Sequence, residues 1–371
     1  MTTWRYIKEN SVSAARGLAT DEFLMETYSD KNHADATLRL YTYKNYCTLV
    51  GRFQNIHAEL NLETIRLSGF QYSRRLTGGG AIIMGEEQLG LCLATANTFN
   101  SENTRELYHI FSTPVLNALE QLGIKAKFHG KNDLVVNGKK IAGLGIHVNP
   151  KGAIQFHTSL LVGLDIPLML KVLKIPLQKI GDKKQIHKVE QRITTVSKEL
   201  NRNISTGEVR QLVARNFEKY FNIKLIEKPI NDFEKKAIEK LAAQKYHNDD
   251  WIFQNSPQPD MTGMGLKKTA AGLLRTYVAL KGETIKSVLI TGDFTEHDDL
   301  FKYIEAQLKW SPLDKQKIMH AVQKSFLKFN GNDTGLSAED IFASIWRAAL
   351  GAMKEVKYTY EGSCYYPEKI K

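Results

Sequence analysis

The sequence predicts an α+β protein with a larger N-terminal domain and a small C-terminal domain. Through the first 165 residues, segments typical of strands alternate with segments typical of helices, and the region from 165 to 245 is mostly helical and polar. A stretch rich in proline, glycine and serine follows at 250–265, ahead of a further hairpin and more helices. We therefore expect a main domain over residues 1–250 and an appended α+β domain over residues 251–371.

The elements of the N-terminal domain follow from the spacing of apolar residues. Helices are predicted, because apolar side chains recur three and four residues apart, over Val12–Tyr28, Leu60–Leu67, Thr104–Leu122 and Gly207–Phe221. Strands are predicted on both sides of Lys44-Asn45 within 38–52, and over Phe70–Arg75, Gly80–Met84, Leu89–Ala94, Gly145–Val148 and Ala153–Leu161. The Asn137-Gly138 pair predicts a type I′ turn between strands at 134–136 and 139–141.

The C-terminal domain is predicted as one hairpin followed by helices. The hairpin joins Leu273–Leu280 to Ile285–Thr291 through a Lys281-Gly282-Glu283 turn. The helices are expected at His297–Leu308, Asp314–Lys324 and Ser337–Ala352, and Ser337 is a suitable N-cap for the last one.

Composition excludes several classes of protein. Apolar residues make up 42% of the chain and charged residues 25%, which allows a substantial core. No apolar run approaches the roughly 20 residues that span a bilayer, and the N-terminal MTTWRYIKEN shows no secretory signal. The cysteines, Cys47, Cys92 and Cys364, are widely spaced, which disfavours a disulfide framework and a zinc site. We expect a cytoplasmic protein that does not enter the membrane.

The net charge is +11, which suits an anionic partner such as nucleic acid, a phosphorylated ligand or an acidic protein. Nucleic-acid readers usually cluster arginine and exposed aromatic residues on one face. Here the basic residues are mostly scattered lysines, and the densest stretch, 183–192, contains a glutamate and no aromatic residue. A solvated lysine-rich surface is therefore favoured over nucleic-acid binding.

The stretch RRLTGGGAII, residues 74–83, has three successive glycines after two arginines. Successive glycines let backbone N–H groups approach an anion closely, and an arginine can grip a carboxylate or phosphate with two hydrogen bonds. The alternative is a glycine-rich turn between two strands with surface arginines. The stretch is neither a P-loop nor a dinucleotide fingerprint, because the residues that define those motifs are missing.

The stretch GKNDLVVNGKKIAG, residues 130–143, places Asn132 and Asp133 at the entrance of a strand. Their oxygen atoms suit Mg²⁺, although the pair can equally shape a turn. Lys140 follows the hairpin and is flanked by apolar and small residues, so it points either into a pocket or to solvent. For one lysine among many, solvent is the default.

The stretch QFHTSLL, residues 155–161, contains His157 within a predicted strand. A histidine there can act as a general base, but it is more often a hydrogen-bonded core residue.

Taken together and in this order, the three stretches resemble the lipoate–protein ligase family, within the superfamily of biotin/lipoate ligases and octanoyltransferases. The segment GRFQN at 51–55 is also similar to the family. So are Lys174-Ile175-Pro176 with the QRIT segment at 191–194, and WIF at 251–253 with Ser256-Pro257. The resemblance covers essentially the whole chain.

The resemblance implies a large mixed-sheet catalytic domain and a small accessory domain, with ATP and Mg²⁺ as cofactors and lipoic acid as substrate. Lipoate and ATP would give lipoyl-AMP, and a lysine of a carrier protein would then displace AMP. The implied carrier is an acidic lipoyl domain, from a 2-oxoacid dehydrogenase E2 or a glycine-cleavage H-type protein, which a basic surface would attract.

The resemblance also implies roles for individual residues. Lys140 would be catalytic, bridging the lipoate carboxylate and the α-phosphate. The nucleotide would be contacted by Lys140 together with Arg75, Gly78, Gly79, Gly80, Ala81, Ile82, Ile83, Asn132 and Asp133. Asp133 would also hold the metal ion. Lipoate would lie against Arg74, Thr77, Gly143 and His157, in an apolar tunnel between 74–77 and the strand at 141–147.

Two departures keep an alternative open. After Lys140 the chain has AGLGIH, which is similar to octanoyltransferases, yet 150–155 lacks the nucleophilic cysteine that those enzymes place before the histidine motif. Thr158-Ser159 stands where ligases usually have Gly-Thr, which bears on tunnel shape. The alternatives are an octanoyl or lipoyl transferase acting on a carrier-bound acyl group, and a non-catalytic binding module.

Overall fold

The computed structural model describes residues 2–29, 35–97, 104–174, 190–294, 298–329, 335–356, 360–363 and 366–369. Outside this part lie several features of the sequence: Ile175-Pro176, residues 183–189 of the basic stretch, His297 and Cys364. The chain divides into two compact units. The first comprises residues 1–52, 57–77 and 81–252, and the second comprises 53–56, 78–80 and 253–371.

Residues 1–252 carry most of the regular structure. The α-helices described here are α1 (Ala14–Glu26), α2 (Ile56–Glu59), α3 (Leu62–Leu67), α4 (Thr104–Gln121), α5 (Ile166–Val172), α6 (Val196–Leu200), α7 (Thr206–Phe221), α8 (Asp232–Leu241) and α9 (Asp249–Ile252). The strands are β1 (Thr2–Val12), β2 (Ala36–Tyr43), β3 (Cys47–Val50), β4 (Gln71–Arg74), β5 (Ile82–Met84), β6 (Gln88–Ala96), β7 (Lys127–His129), β8 (Asp133–Val136), β9 (Lys139–Val148), β10 (Ala153–Leu161) and β11 (Ile223–Glu227). A π-helical turn, Ala242–Tyr246, continues α8.

Eight strands form one mixed sheet in the order β11-β1-β2-β6-β10-β9-β8-β7. β1 runs parallel to β11 and β2, and each remaining pair is antiparallel. A smaller sheet has the order β4-β3-β5. The two strands predicted around Lys44-Asn45 are thus present, and they belong to different sheets.

One face of the eight-stranded sheet is apolar because alternate residues of its strands are leucine, isoleucine, valine or phenylalanine. Leu38 and Leu40 of β2, Leu91 and Leu93 of β6 and Phe156 of β10 belong to the same buried cluster. The amphipathic helices α4 and α7 pack on this face and on each other. Burial of this apolar surface contributes about 25 cal/mol of stabilisation per Å², and it is the main source of stability of the unit.

The opposite face of the sheet carries polar and small residues, and α1 packs across β6 and β10 on this side. The side chain of Ser13 accepts a hydrogen bond from the Arg16 N–H and so caps the helix. This second face holds the candidate functional residues.

The second unit contains a four-stranded antiparallel sheet in the order β12-β13-β14-β15. Its strands are β12 (Gly263–Lys268), β13 (Leu273–Lys281), β14 (Thr284–Gly292) and β15 (Ser311–Pro312), and its helices are α10 (Asp298–Leu308), α11 (Lys315–Lys328) and α12 (Ala338–Val356). A short pair, β16 (Tyr360–Ser363) and β17 (Tyr366–Lys369), ends the described part. The predicted β13–β14 hairpin is confirmed, and Ser337 caps α12 through the Asp340 N–H at 3.0 Å.

The fold class predicted from the sequence, α+β with a large mixed sheet, is confirmed. In the described residues, no helix combines the length and the apolar character needed to cross a membrane.

Candidate active site

Lys140 lies near the start of β9, just after the Asn137-Gly138 turn. Both turn residues have positive φ, 49° and 79°, as the predicted hairpin requires. The Lys140 Nζ is 2.6 Å from the Asp133 Oδ1, and each side chain remains about one-third exposed. The Lys140 side chain lies over Gly143, where a Cβ would come within 3.2 Å of the Nζ. Lys140, Asp133 and Gly143 are therefore brought together at one place.

The backbone of Lys140 is bound on both sides. β8 pairs with Lys140 through Val135, with a bulge between Leu134 and Val135, and such a bulge changes the direction of the neighbouring side chains. β10 pairs with β9 only from Ala142 onward, which leaves the other edge of Lys140 to the segment 192–194. The Lys140 N–H donates to the Arg192 carbonyl at 2.8 Å, and the Thr194 N–H donates to the Lys140 carbonyl at 2.9 Å.

Asn132 bonds to the same strand. Its side-chain amide donates to the Leu144 carbonyl at 2.9 Å, and its carbonyl accepts from the Leu144 N–H at 2.8 Å. These contacts give Asn132 a role in holding β9. The predicted contact with a nucleotide stays a prediction.

His157 lies opposite Gly145 in the β9–β10 register, and a Cβ on Gly145 would collide with its imidazole. The Nε2 of His157 is 3.3 Å from the Thr77 Oγ1. Burial, with the Arg75 charge, lowers the pKa of His157 to about 3, so the ring is neutral near pH 7. A neutral hydrogen-bonding ring fits the predicted substrate contact better than a general base.

Arg75 is buried at 5% exposure, and its Nη1 donates to the Leu49 carbonyl at 2.6 Å. Burial lowers the pKa of Arg75 to about 10, which leaves the guanidinium charged at neutral pH. A buried positive charge beside a neutral histidine suits an anionic group of a substrate.

Arg74 is fully buried and faces other partners. Its Nε and Nη2 donate to the Ile252 carbonyl at 3.1 and 2.8 Å, and its Nη1 donates to the Gly51 and Arg52 carbonyls at 2.8 and 2.9 Å. The Nε also donates to the Trp251 carbonyl. The geometry gives Arg74 a structural position, and the lipoate contact expected for it rests on the resemblance alone.

The three glycines belong to the second unit, whereas Ala81, Ile82 and Ile83 belong to the first. Gly79 has a φ of 90°, which favours glycine, and its N–H donates to the Phe294 carbonyl at 2.7 Å. Ile82 and Ile83 are in β5 and pair with β3. Contact of this loop with a nucleotide stays a prediction.

A narrow cavity of about 20 Å³ opens on the polar face of the main sheet. Arg75 lines both this cavity and the predicted tunnel. The other walls of the cavity come from α1, β2, β3, β5, β6 and β10 rather than from the predicted strand at 141–147. The lining residues are Leu18, Tyr41, Tyr43, Leu49, Arg75, Ile82, Met84, Gly90, His157, Thr158 and Ser159.

A line of directly paired residues runs across the sheet from Lys140 to this cavity. Gly143 pairs with Ser159, Ser159 pairs with Gly90, and Gly90 pairs with Tyr41. We call Gly143, Ser159, Gly90 and Tyr41 the cross-sheet row. Three small residues thus lead from the lysine, and a tyrosine ends the row.

Tyr41, Tyr43 and Gly90 were not predicted as site residues from the sequence. The signal was present in β2, where Leu38 and Leu40 alternate with Arg39 and Tyr41, a pattern that assigns the polar residues to one face. The sequence alone does not give the strand order, so it could not show which residues of other strands lie beside that face.

One side chain beside Lys140, Asp133, is a suitable ligand for a magnesium ion. Asp133 offers a carboxylate, and Mg²⁺ in nucleotide sites is typically held by one or two carboxylates together with phosphates and water. Within the described ranges, no three His, Cys, Asp or Glu side chains group closely enough to hold a metal ion.

Residues 13–218 match the family model described as the lipoyl protein ligase A/B catalytic domain. This match covers more than half of the chain. The chain belongs to the lipoyl protein ligase A/B family. The family indicated by the three motifs is therefore confirmed.

Two curated relatives represent the activities within the lipoyl protein ligase A/B family. The chain is 26% identical over 275 residues to the octanoyltransferase LipM of Anoxybacillus flavithermus, covering 68% of this chain and 98% of that protein. It is 28% identical over 304 residues to lipoate–protein ligase 2 of Staphylococcus aureus, covering 80% of this chain and 86% of that protein. The chain is thus an enzyme of the ligase and octanoyltransferase family.

The solved structure of P. falciparum LipL1 in complex with lipoate has the same fold as this member of the lipoyl protein ligase A/B family. The TM-score is 0.68 at 21% identity, and the match covers 86% of this chain and 94% of that one.

Proposed function

We propose that this enzyme attaches lipoate to a lysine of a lipoyl-accepting carrier protein, in an ATP-dependent reaction through lipoyl-AMP. The observation that carries the proposal is the position of Lys140 at the head of the cross-sheet row. Its ammonium group lies over Gly143, and Gly143 pairs with Ser159 at the edge of the cavity. An acid whose carboxylate binds Lys140 can place its hydrocarbon chain along the row.

The chemistry requires positive charge where two anions meet. In the first step a carboxylate oxygen of lipoate attacks the α-phosphorus of ATP, the bond to the β,γ-phosphates breaks and pyrophosphate leaves. Lys140 is placed to hold the carboxylate beside the α-phosphate and to stabilise the charge that develops between them. Arg75 and the backbone of 78–83 are the further donors that we assign to the nucleotide.

In the second step the amine of the carrier lysine attacks the acyl carbonyl, loses a proton and displaces AMP, leaving an amide. Mg²⁺, when bound, would neutralise phosphate charge, and Asp133 is the carboxylate that we assign to it. In the absence of substrate, the ion pair holds the Lys140 ammonium beside the Asp133 carboxylate, and we assign the separation of the two groups to substrate binding. We assign the catalytic role to residues 1–250 and an accessory role to 251–371.

The second candidate is an octanoyl or lipoyl transferase, favoured by the 26% identity to the octanoyltransferase LipM. Such a route needs a reactive thiol, and the described cysteines, Cys47 and Cys92, are both fully buried. Burial raises the pKa of each, and at Cys92 the Asp21 carboxylate raises it further. A thiol with a raised pKa is a poor nucleophile near pH 7, which supports the ligase.

Lipoate-dependent exchange between pyrophosphate and ATP tests the ligase directly. We expect exchange with the wild-type enzyme and a loss of at least 100-fold in Lys140→Ala, because the charge that binds both anions is removed. Lys139→Ala is the matched control, since the neighbouring side chain points to the other side of the strand, and it should exchange normally.

Two results would contradict the ligase proposal. One is normal exchange in Lys140→Ala. The other is a folded wild-type enzyme that shows no exchange yet moves an octanoyl group from one carrier protein to another. The second result would establish the transferase.

A further inference from the structure

A buried charge network lies behind the cavity. Arg39 is fully buried, and a buried guanidinium is unfavourable unless hydrogen-bonded carboxylates surround it. Its Nη1 donates to the Asp21 Oδ1 at 2.6 Å and to the Gly17 carbonyl at 2.9 Å, and its Nε donates to the Glu9 Oε2 at 2.7 Å. Desolvation opposes the charge of Arg39, but Asp21 and Glu9 outweigh it and raise the pKa.

The same network holds Tyr41. The Tyr41 hydroxyl donates to the second oxygen of Asp21 at 2.8 Å, and the Arg39 guanidinium lies over the Tyr41 ring, 3.8 Å from its centroid. Tyr43 adds its hydroxyl at 3.4 Å from that of Tyr41. Burial raises the pKa of Tyr41 well above 10, so the phenol keeps the proton that it donates.

These contacts restrict the hydroxyl end and one face of the ring. The hydroxyl end is bound by Asp21, one face is covered by Arg39, and the ring lies close to Gly90, where a Cβ would come within 2.9 Å of it. A side chain bound in this way exchanges rotamers much less readily than an unanchored aromatic residue.

Tyr41 also ends the cross-sheet row. Neighbouring strands are about 4.8 Å apart, and the Tyr41 ring lies over Gly90, so the two steps from Gly143 to Gly90 span roughly 10 Å. Because Lys140 holds the carboxylate end, the ring of Tyr41 limits how far the hydrocarbon end can extend along the sheet.

We propose that Asp21 and Arg39 are positioning residues that hold Tyr41 as the end of the acyl site, and that Tyr41 thereby determines which length of acyl chain the enzyme accepts. The proposal rests on the proposed function, since it assigns the cross-sheet row, at whose end the cavity lies, to the acyl group. It goes further by naming the residues that select among straight-chain carboxylic acids.

Direct binding of unbranched acids tests the proposal without requiring the ligation reaction. The full-length enzyme is titrated by calorimetry with hexanoate, octanoate, decanoate and dodecanoate, and with lipoate. The wild-type protein should prefer one length and lose at least tenfold in affinity for chains four carbons longer, because the longer chain meets Tyr41.

Two variants alter the end of the row. Tyr41→Leu shortens the side chain, and we expect it to shift the decanoate-to-octanoate affinity ratio at least fivefold toward decanoate. Tyr41→Phe keeps the ring but removes the hydrogen bond to Asp21, and we expect a shift of two- to fivefold in the same direction. Tyr28→Phe is the matched control, because it removes a buried phenol hydrogen bond, to Thr37 at 2.8 Å, away from the cavity. Its ratio should equal that of the wild type.

The outcomes separate the two proposals. If both Tyr41 variants keep the wild-type ratio while pyrophosphate exchange proceeds, the inference about Tyr41 is wrong and the ligase proposal stands. If Tyr28→Phe shifts the ratio as much as Tyr41→Phe, the effect is general loosening and the inference is also wrong. If the folded wild-type protein binds none of the acids, the inference about Tyr41 is wrong, and pyrophosphate exchange alone then decides the ligase proposal.

Discussion

Arg74 and Arg75 are neighbours in the sequence, but their side chains have different surroundings. Arg74 donates to the backbone carbonyls of Gly51 and Ile252, which are distant in the sequence. Arg75 lines the cavity together with His157. The two-residue pattern cannot distinguish these roles, because strand alternation sends adjacent side chains to opposite faces and the identity of each face depends on the whole sheet.

Replacement of Arg74 should therefore affect stability first. In Arg74→Met several buried carbonyls lose their donor, and we expect the free energy of unfolding in urea to fall by about 3 kcal/mol. Arg66→Met is the matched control, because Arg66 is exposed on α3, and it should change stability by less than about 0.5 kcal/mol. Equal stability of Arg74→Met and the wild type would show that these hydrogen bonds contribute little.

The positions of other site residues could be predicted from the sequence to different degrees. The approach of Asp133 to Lys140 follows from one Asn-Gly hairpin, which is local and has a known turn geometry. The Asp21–Arg39–Tyr41 network requires α1 to pack on the sheet beside β2, and no short pattern specifies that packing. Arg39 is the one charged residue of β2, and it was the available signal.

At the level of elements, those formed by local contacts were predicted well, whereas those that depend on distant pairing were not. Hairpins and amphipathic helices were predicted with small errors at their ends, for instance α1, which spans Ala14–Glu26 rather than Val12–Tyr28. β1 was missed because its partners are β2 and the distant β11, and its sequence TTWRYIKENSV shows no clear alternation. Such a strand is stabilised by its neighbours rather than by local propensity.

The segment 192–194 shows how a distant element supports the site. It pairs with Lys140 where β10 has ended, and it supplies the donor and the acceptor that hold the Lys140 backbone. In the sequence, the QRIT segment is informative only as part of a resemblance. The structure gives it a physical role, which is to complete the edge of β9 beside the lysine.

Removal of one hydrogen bond tests this role. Thr194→Pro lacks the N–H that donates to the Lys140 carbonyl, and we expect the rate of pyrophosphate exchange to fall at least tenfold, because small displacements of a catalytic group are costly. Thr194→Ala keeps the N–H but loses the hydroxyl that donates to Glu199 at 2.5 Å, and so controls for the side chain. The two variants should differ in rate more than in melting temperature. Similar rates would mean that Lys140 is positioned by β8 alone.

At the level of the whole molecule, the net charge of +11 exceeds what binding one nucleotide requires. The strong ion pairs, such as Arg39 with Asp21 or Arg5 with Glu234, join residues within the fold and leave many lysines exposed to solvent. A positive surface of this kind attracts acidic proteins over distances of about one Debye length, roughly 10 Å at 0.1 M salt.

We therefore expect encounter with an acidic lipoyl domain to depend on salt. The association rate, followed by stopped-flow fluorescence with a labelled carrier, should fall about tenfold between 20 and 300 mM NaCl, because screening removes the long-range attraction. Dissociation should change less, since short-range contacts govern it. Lipoate-dependent pyrophosphate exchange at saturating lipoate and ATP is the matched control, because no carrier takes part, and it should vary by less than threefold. A carrier association rate that is constant across this range would assign the positive charge to another partner.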